Sequence, residues 1–303
     1  MIVLWGLENE EPMARVGAAL RTRGQDFVFL DQREASRSRI RRGLHRLETP
    51  HERIDLRRVR ALYARPFSTE RLASDPADLR RAQILDAALW NWAELSSATV
   101  ITRASTMASN QSKPYQSLAI RRAGFRVPET LVTTTPAAAR AFWKRHRQVI
   151  YKSLSGVRSR VTRLGAEHAG RLDDIVWCPT QFQAYVPGRE HRVHVVGERL
   201  FACEIVSDAD DYRYAEHPVE LRSCALPVDI AERCRRLAAD LDLAVAGIDL
   251  RVTPDDEWYC FEVNPAPGFP FYERASGPIG DAIAELLVAA PEQPLSTRPP
   301  RVA

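Results

Sequence analysis

Between Gly247 and Tyr272 apolar and polar positions alternate in two runs. Ile248, Leu250 and Val252 alternate with Asp249 and Arg251. After Thr253-Pro254-Asp255-Asp256, Tyr259, Phe261 and Val263 alternate with Cys260, Glu262 and Asn264. A period of two marks strands with one buried face, and the Pro-Asp-Asp interruption marks a turn, so the stretch predicts a β-hairpin. A one-residue slip would turn every apolar side chain to the wrong face, so burial sets the register. The pairing that keeps one face apolar puts Val252 opposite Tyr259, Leu250 opposite Phe261 and Ile248 opposite Val263. It also puts Asp249 directly opposite Glu262, with Asn264 two residues further along that face. Facing carboxylates repel unless positive charge lies between them. Two arrangements meet that need: a hard cation with oxygen ligands, or neutralisation by Arg251 in a surface ladder.

The same periodicities predict the rest of the chain. Ile2 to Trp5 is a buried strand. Pro12 to Arg23 is a helix with Met13, Val16 and Leu20 inward, stopped by Gly24, and Phe27 to Leu30 is a second strand. This β-α-β opening implies an open α/β unit. Its first turn, Gly6-Leu7-Glu8-Asn9, lacks GxGxxG and gives no support to a dinucleotide site. A strand over Ala61 to Ala64, a helix over Leu79 to Leu95 and an extended Thr99 to Thr102 follow. A helix capped by Gln111 or Ser112 runs to Ala123 and ends at Gly124. Val127 to Val132 is a strand, Pro136 to His146 a helix, and Gln148 to Lys152 a strand that enters the small polar loop Ser153 to Ser159. Trp177 to Val186 is extended and ends at Pro187-Gly188. On the next strand Glu190, Arg192 and His194 share one face; His194 reads as a rim or core histidine, and the acid and arginine as an ion pair or a site. Leu200 to Ile205 follows the Gly197-Glu198 turn. Asp229 is expected to cap a helix whose Ile230, Cys234, Leu237 and Leu241 form a stripe that packs on the hairpin. A last helix runs from Gly280 to about Ala290, and 291–303 is expected to be disordered. There is no internal repeat.

Composition places this pattern in a class. The 303 residues suffice for two or three subdomains with their own cores, and 45% apolar with 27% charged residues is ordinary for a globular chain. No apolar run approaches the roughly 20 residues that span a bilayer, and Met1 to Trp5 is too short for a signal peptide, so a cytoplasmic protein without a membrane partner is expected. The five cysteines are scattered and form no CxxC, which implies reduced core thiols rather than a disulfide framework or zinc site.

Charge changes the picture more. The net charge is +4, but Asp31 to Arg65 holds eleven arginines and five acids, +6, so the remainder carries −2. This segment can be a solvated basic face or can attract an acidic partner. Of 43 basic residues only three are lysines: Lys113, Lys144 and Lys152. In so arginine-rich a chain a lysine can mark a place that requires a compact ammonium. Lys113 stands at a helix entrance, where it adds to the positive end of the dipole and suits an anionic ligand as well as solvent. Lys152 stands at a strand end before a small polar loop, a setting suited to phosphate, although its single glycine matches no phosphate-loop pattern.

Taken together, these pieces resemble the ATP-grasp superfamily, and within it the RimK-like and graspetide-maturase ligases. GID…FEVNPAPGF is similar to the family's metal strands and the loop after them. FQAYVPGREHRV resembles its hinge and next strand, VIYKSLSG its strand, lysine and small loop, and SNQSKPYQ its first-lysine helix. The likeness runs from about residue 100 to 285; the first hundred residues resemble, less specifically, the α/β domain that precedes ATP-grasp. The implied fold is α/β, α+β in the catalytic part: a pre-ATP-grasp domain at 1–105, a small lobe at 106–180 with a mobile loop at 153–159, a large lobe with the metal site at 181–290, and a tail.

The resemblance also implies roles. Lys113 and Lys152 would contact nucleotide phosphates, beneath a loop containing Ser155 and Gly156. Gln183, Ala184, Tyr185 and Val186 would form the hinge against adenine, read by main-chain groups of Ala184 and Val186. Glu190 would hold the ribose, and Arg192 would face the transferred phosphate. Arg213, in a DWR-like element, would touch substrate or phosphate. Asp249, Glu262 and Asn264 would bind two Mg²⁺, with Mn²⁺ as an alternative and Glu262 bridging. The implied reaction is ATP-dependent joining of a carboxylate to an amine through an acyl phosphate. Three departures stand out: Ala184 replaces the usual hinge acid, the loop after Lys152 is glycine-poor, and NPAPGF replaces an NPxGQW-like ending. The last of these leaves the substrate open: a peptide or protein is one candidate, with an amino acid or dipeptide as alternative. A non-catalytic nucleotide- or nucleic-acid-binding protein is a third reading. The absence of interleaved aromatic and basic residues disfavours nucleic acid. Homo-oligomerisation is left open.

Overall fold

A computed structural model of the chain describes residues 1–41, 45–153, 161–207 and 218–292. Ser155, Gly156, Arg213 and 293–303 lie outside the described residues. The chain opens with β1 (Ile2–Gly6), α1 (Glu11–Thr22) and β2 (Phe27–Asp31). A small antiparallel sheet of β3 (Arg39–Arg41), β4 (Arg46–Glu48) and β5 (Arg53–Asp55) precedes β6 (Ala61–Arg65). Then come α2 (Pro76–Leu95) and β7 (Thr99–Ile101). Strands β2-β1-β6-β7 form a parallel sheet in that order. β1 is buried at every position, as a parallel strand covered on both faces must be. Several arginines of the basic segment pair locally: Arg39 and Arg41 with Glu48, Arg57 with Asp55 and Arg37 with Glu34.

α3 (Ala104–Gln111) and α4 (Lys113–Arg122) follow. α3 has no apolar stripe, so periodicity gives it no signal. Next come β8 (Thr130–Thr133), α5 (Pro136–His146), β9 (Val149–Ser153), β10 (Thr162–Arg163) and β11 (Thr180–Ala184). They build an antiparallel sheet of order β10-β9-β11-β8, on which Ala139 and Phe142 of α5 pack against Val149 and Phe182. The predicted extension from Trp177 starts only at Thr180. Residues Ala166–Trp177 instead wind as 3₁₀ turns that bury Leu172 and Ile175 in this core.

The last unit contains β12 (Arg189–Val196), β13 (Arg199–Val206), β14 (Glu220–Ser223), α6 (Val228–Asp240), β15 (Val245–Val252) and β16 (Trp258–Asn264). It ends in α7 (Pro270–Ser276), which the sequence pattern does not announce, and α8 (Ile279–Val288). The antiparallel order is β14-β13-β12-β15-β16. The α6 stripe of Ile230, Cys234, Leu237 and Leu241 packs on Ile248, Leu250 and Val263. Asp229 does not cap α6: Pro227 occupies that place, and Asp229 pairs with Arg233 one turn on. Ile283 and Leu287 of α8 enter the same core as Ile2, Leu4 and Tyr63, so the C-terminal helix fastens the two sheets together.

The hairpin register holds at the site and fails near the turn. Ile248 faces Val263 and Asp249 faces Glu262, but a bulge after Asp249 then pairs Leu250 with Cys260, Arg251 with Tyr259 and Val252 with Trp258. The bulge buries Cys260 completely and leaves Phe261 half-buried beneath the Arg251 guanidinium. Both residues are apolar enough to be buried, so alternation alone does not choose between them.

Candidate active site

Asp249, Glu262 and Asn264 converge as the register requires. Asp249 and Glu262 are direct partners across β15 and β16, and Gly247 faces Asn264. The Asp249 and Glu262 side chains remain 38% and 33% exposed, so both carboxylates are reachable. Each meets a cation that sequence reasoning assigned to phosphate. Lys113 Nζ lies 2.6 Å from Glu262 Oε1, and Arg192 Nη1 lies 2.5 Å from Asp249 Oδ1. Burial is the largest influence on Glu262 and pushes its pKa up; Lys113, then Lys152 and Arg192, outweigh it and hold the carboxyl below its ordinary value. Arg251 is not their counter-ion. It pairs with Glu190 and donates to the Val186 carbonyl at 2.8 Å, so the surface-ladder arrangement does not form. Among the described residues no three His, Cys, Asp or Glu side chains gather. The set here is two carboxylates and a carboxamide.

Two scaffolds hold the cations. Lys113 begins α4, and Gln116, one turn on, is 1% exposed. Its Nε2 donates to the Val263 carbonyl at 2.7 Å, and its Oε1 accepts from the Val263 N–H at 3.2 Å. The carboxamide thus extends the edge of β16 and sets the height of Lys113 over Glu262. Sequence reasoning missed Gln116, because a glutamine on a polar helix carries no periodic signal. Arg192 is held more rigidly. It sits opposite Asp249 across β12 and β15, and its guanidinium lies 5.4 Å from the Tyr272 ring. It passes over Gly247, where a Cβ would overlap the guanidinium and Pro267.

His194, on the same face, is fully buried with its ring 5.2 Å from Tyr272. Its Nε2 lies 3.3 Å from the Gly268 carbonyl, and its Nδ1 is buried without a hydrogen-bond partner among the described residues. Burial, then Arg192, hold its pKa well below the ordinary histidine value. The ring is therefore neutral in the fold, a core histidine. The unfolded chain takes up this proton near about pH 6.5 and the folded chain does not. This contribution to stability is complete above that pH and is lost as pH falls below it, by up to about 1.4 kcal/mol per pH unit. His194→Gln should flatten the decline of stability as pH falls below about 6.5. Urea melts across that range check this, and an unchanged slope would contradict it. His191, also lowered by burial, contributes equally to both proteins.

The loop after Asn264 is tied through its carbonyls. Thr102 Oγ1 donates to Pro265 at 3.3 Å, and Arg65 Nη1 donates to Pro267 at 3.1 Å. With His194 at Gly268, strands of both sheets grip one loop. Asn264 Oδ1 accepts from Ala266 N–H at 2.9 Å and orients its carboxamide. At the hinge, Gln183 is buried with Nε2 3.3 Å from Thr130 Oγ1, and Ala184 N–H donates to Glu129 at 2.9 Å. Val186 N–H donates to no backbone carbonyl among the described residues. Tyr185 stacks under Arg163, with the guanidinium carbon 4.2 Å from its ring centroid. Lys152 lies on β9 opposite Gln181, within electrostatic reach of Glu262.

No family model matches the chain, and no curated protein matches it. Solved structures do. The ATP-grasp ligase PsnB complexed with minimal precursor has a TM-score of 0.79 at 26% identity, covering 96% of this chain and 99% of that one. The macrocyclase MdnC from Microcystis aeruginosa MRC, bound with precursor peptide MdnA, has a TM-score of 0.81 at 22% identity, covering 95% and 99%. A RiPP-associated ATP-grasp ligase of Chryseobacterium gregarium, in complex with ADP and a leader and core peptide, has a TM-score of 0.79 at 22% identity, covering 96% and 97%. At these TM-scores and coverages the chain has the ATP-grasp ligase fold along nearly its whole length.

Proposed function

We propose that the chain is an ATP-dependent carboxylate–amine ligase that modifies a peptide or protein through an acyl-phosphate intermediate. The observation that carries this reading is Asp249 facing Glu262, each against a cation suited to phosphate, on the fold of ligases solved with precursor peptides. Asp249, Glu262 and Asn264 supply hard oxygen donors on adjacent strands, a set that fits Mg²⁺. Bound there, two Mg²⁺ ions, or Mn²⁺ in their place, would neutralise charge on the transferring phosphoryl group.

The chain's own residues do the rest. Lys113, Lys152 and Arg192 would bind and align the phosphates, so that the substrate carboxylate attacks the γ-phosphate in line. ADP leaves, and an amine then displaces phosphate to give the amide. Gln183 to Val186 would hold adenine through main-chain groups, with Val186 N–H as donor. Glu190, steadied by Arg251, would take the ribose hydroxyls. The segment with Ser155 and Gly156 would cover the phosphates and keep water from the acyl phosphate, and Arg213 would meet substrate or phosphate. In this reading 106–180 and 181–290 act as the two lobes, 1–105 as the preceding domain, and the protein works in the cytoplasm. No helix among the described residues is long and apolar enough to cross a membrane.

The test is phosphate release with ATP, Mg²⁺ and a panel of acidic peptides and single amino acids. Release of ADP and phosphate only with peptides is the expected result. Release with single amino acids alone would move the substrate to the small-molecule class. No release with any of them, alongside strong salt-dependent binding to random DNA, would favour the non-catalytic reading.

A further inference from the structure

The two carboxylates that would hold the metal already have partners. Glu262 is neutralised by Lys113 at 2.6 Å and Asp249 by Arg192 at 2.5 Å. A divalent ion that arrives alone meets a positive group at each carboxylate it needs, and offers neither group another anion. A polyphosphate changes that balance, because it offers oxygens to the same ammonium and guanidinium. The two cations are not equally free to move. The Arg192 side chain is only 6% exposed, packed between Gly247 and the Tyr272 ring. The Lys113 side chain is 31% exposed, on a flexible stem at the first position of α4. Its second neighbour, Asn110 Oδ1, is 3.5 Å away, at the limit of a hydrogen bond. The structure therefore has one fixed counter-ion and one movable one.

We propose that Lys113 is a resident counter-ion that keeps Glu262 closed to a divalent cation until an anionic polyphosphate draws the ammonium away. The proposal rests on the reading of this site as an ATP site and adds an order of events to it. Metal and polyphosphate then bind cooperatively, since each stabilises the arrangement the other requires, and the coupling is reciprocal. Arg192, packed between Gly247 and the Tyr272 ring, stays in place.

The test uses the full chain and Mn²⁺ followed by electron paramagnetic resonance, without nucleotide. Lys113→Met should bind Mn²⁺ about tenfold tighter than the unaltered chain, within the range usual for coupled sites. The double variant Lys113→Met with Glu262→Gln should lose that gain, which maps it to the carboxylate. If Lys113→Met does not fold by circular dichroism, Lys113→Gln, which keeps a donor and drops the charge, is expected to show the same gain. Equal Mn²⁺ affinity in the folded variant and the unaltered chain would overturn the proposal. Titration of the unaltered chain with the Mn²⁺–ADP complex separates the two ideas. Failure to bind it removes the ATP-site reading itself. Binding of the complex without any gain in the Lys113 variants removes only the counter-ion role.

Discussion

Glu262→Gln is expected to lower ATP turnover by about three orders of magnitude or more, because in the proposed reading it removes a carboxylate that would hold the metal, and with it several kcal/mol of charge stabilisation in the transition state. The amide has the shape of the acid but lacks its charge. It can still accept the Lys113 hydrogen bond through Oε1, yet it no longer holds two positive partners together. The fold should survive. Both side chains of the pair are about one-third exposed, so water screens what their attraction contributes to stability. The clamp of Gln116 on Val263 uses the neighbouring backbone and is untouched. The check is phosphate release with the most active peptide of the panel, together with a thermal melt. A soluble, folded variant that consumes ATP at the normal rate would remove Glu262 from the reaction.

Gly247→Ala is expected to damage both stability and nucleotide binding, for a reason of space. The added Cβ would overlap the Arg192 guanidinium and approach Pro267 Cβ to 2.6 Å. The guanidinium is fixed by Asp249 and Tyr272, and Pro267 by the Arg65 bond to its carbonyl, so neither can retreat without breaking a contact. Overpacking of this kind costs about 1–3 kcal/mol, and a melt should fall by several degrees. Displacement of Arg192 should also weaken ADP binding by about tenfold, the size of one lost charge-assisted bond. Gly170→Ala is the control: nothing lies within 4 Å of its Cβ position, and its melt should not move. Equal melts and equal ADP affinity for the two variants would show that Arg192 adapts freely.

In the basic 31–65 segment six arginines meet acids: Arg33 pairs with Asp31, Arg37 with Glu34, Arg39 and Arg41 with Glu48, Arg57 with Asp55, and Arg65 with Glu10. Lys113 is singled out by α4, whose first turn is anchored to β16 through Gln116.

What local alternation can settle, it settles here. Ile248 and Val263 must face inward together, so Asp249 must face Glu262, and the fold class follows from the order of strands and helices around them. The αβ opening, the α6 stripe and the positions of Lys113 and Lys152 at the starts or ends of elements are of the same kind. Each depends on residues within one or two turns of chain. The bulge that buries Cys260 in place of Phe261 is different, because two apolar neighbours compete for one inward place and only the packed α6 face chooses. So is the choice of counter-ion. Arg251 is two residues from Asp249 in sequence, but the order β12-β15-β16 sends it to Glu190 and brings Arg192 to Asp249. Lys113 reaches Glu262 across 149 residues, and Thr102 and Arg65 reach the loop after Asn264 from another sheet. Periodicity reports which face a side chain takes; which charge it meets there depends on strand order and packing between distant segments, and that information exists only once the chain is folded.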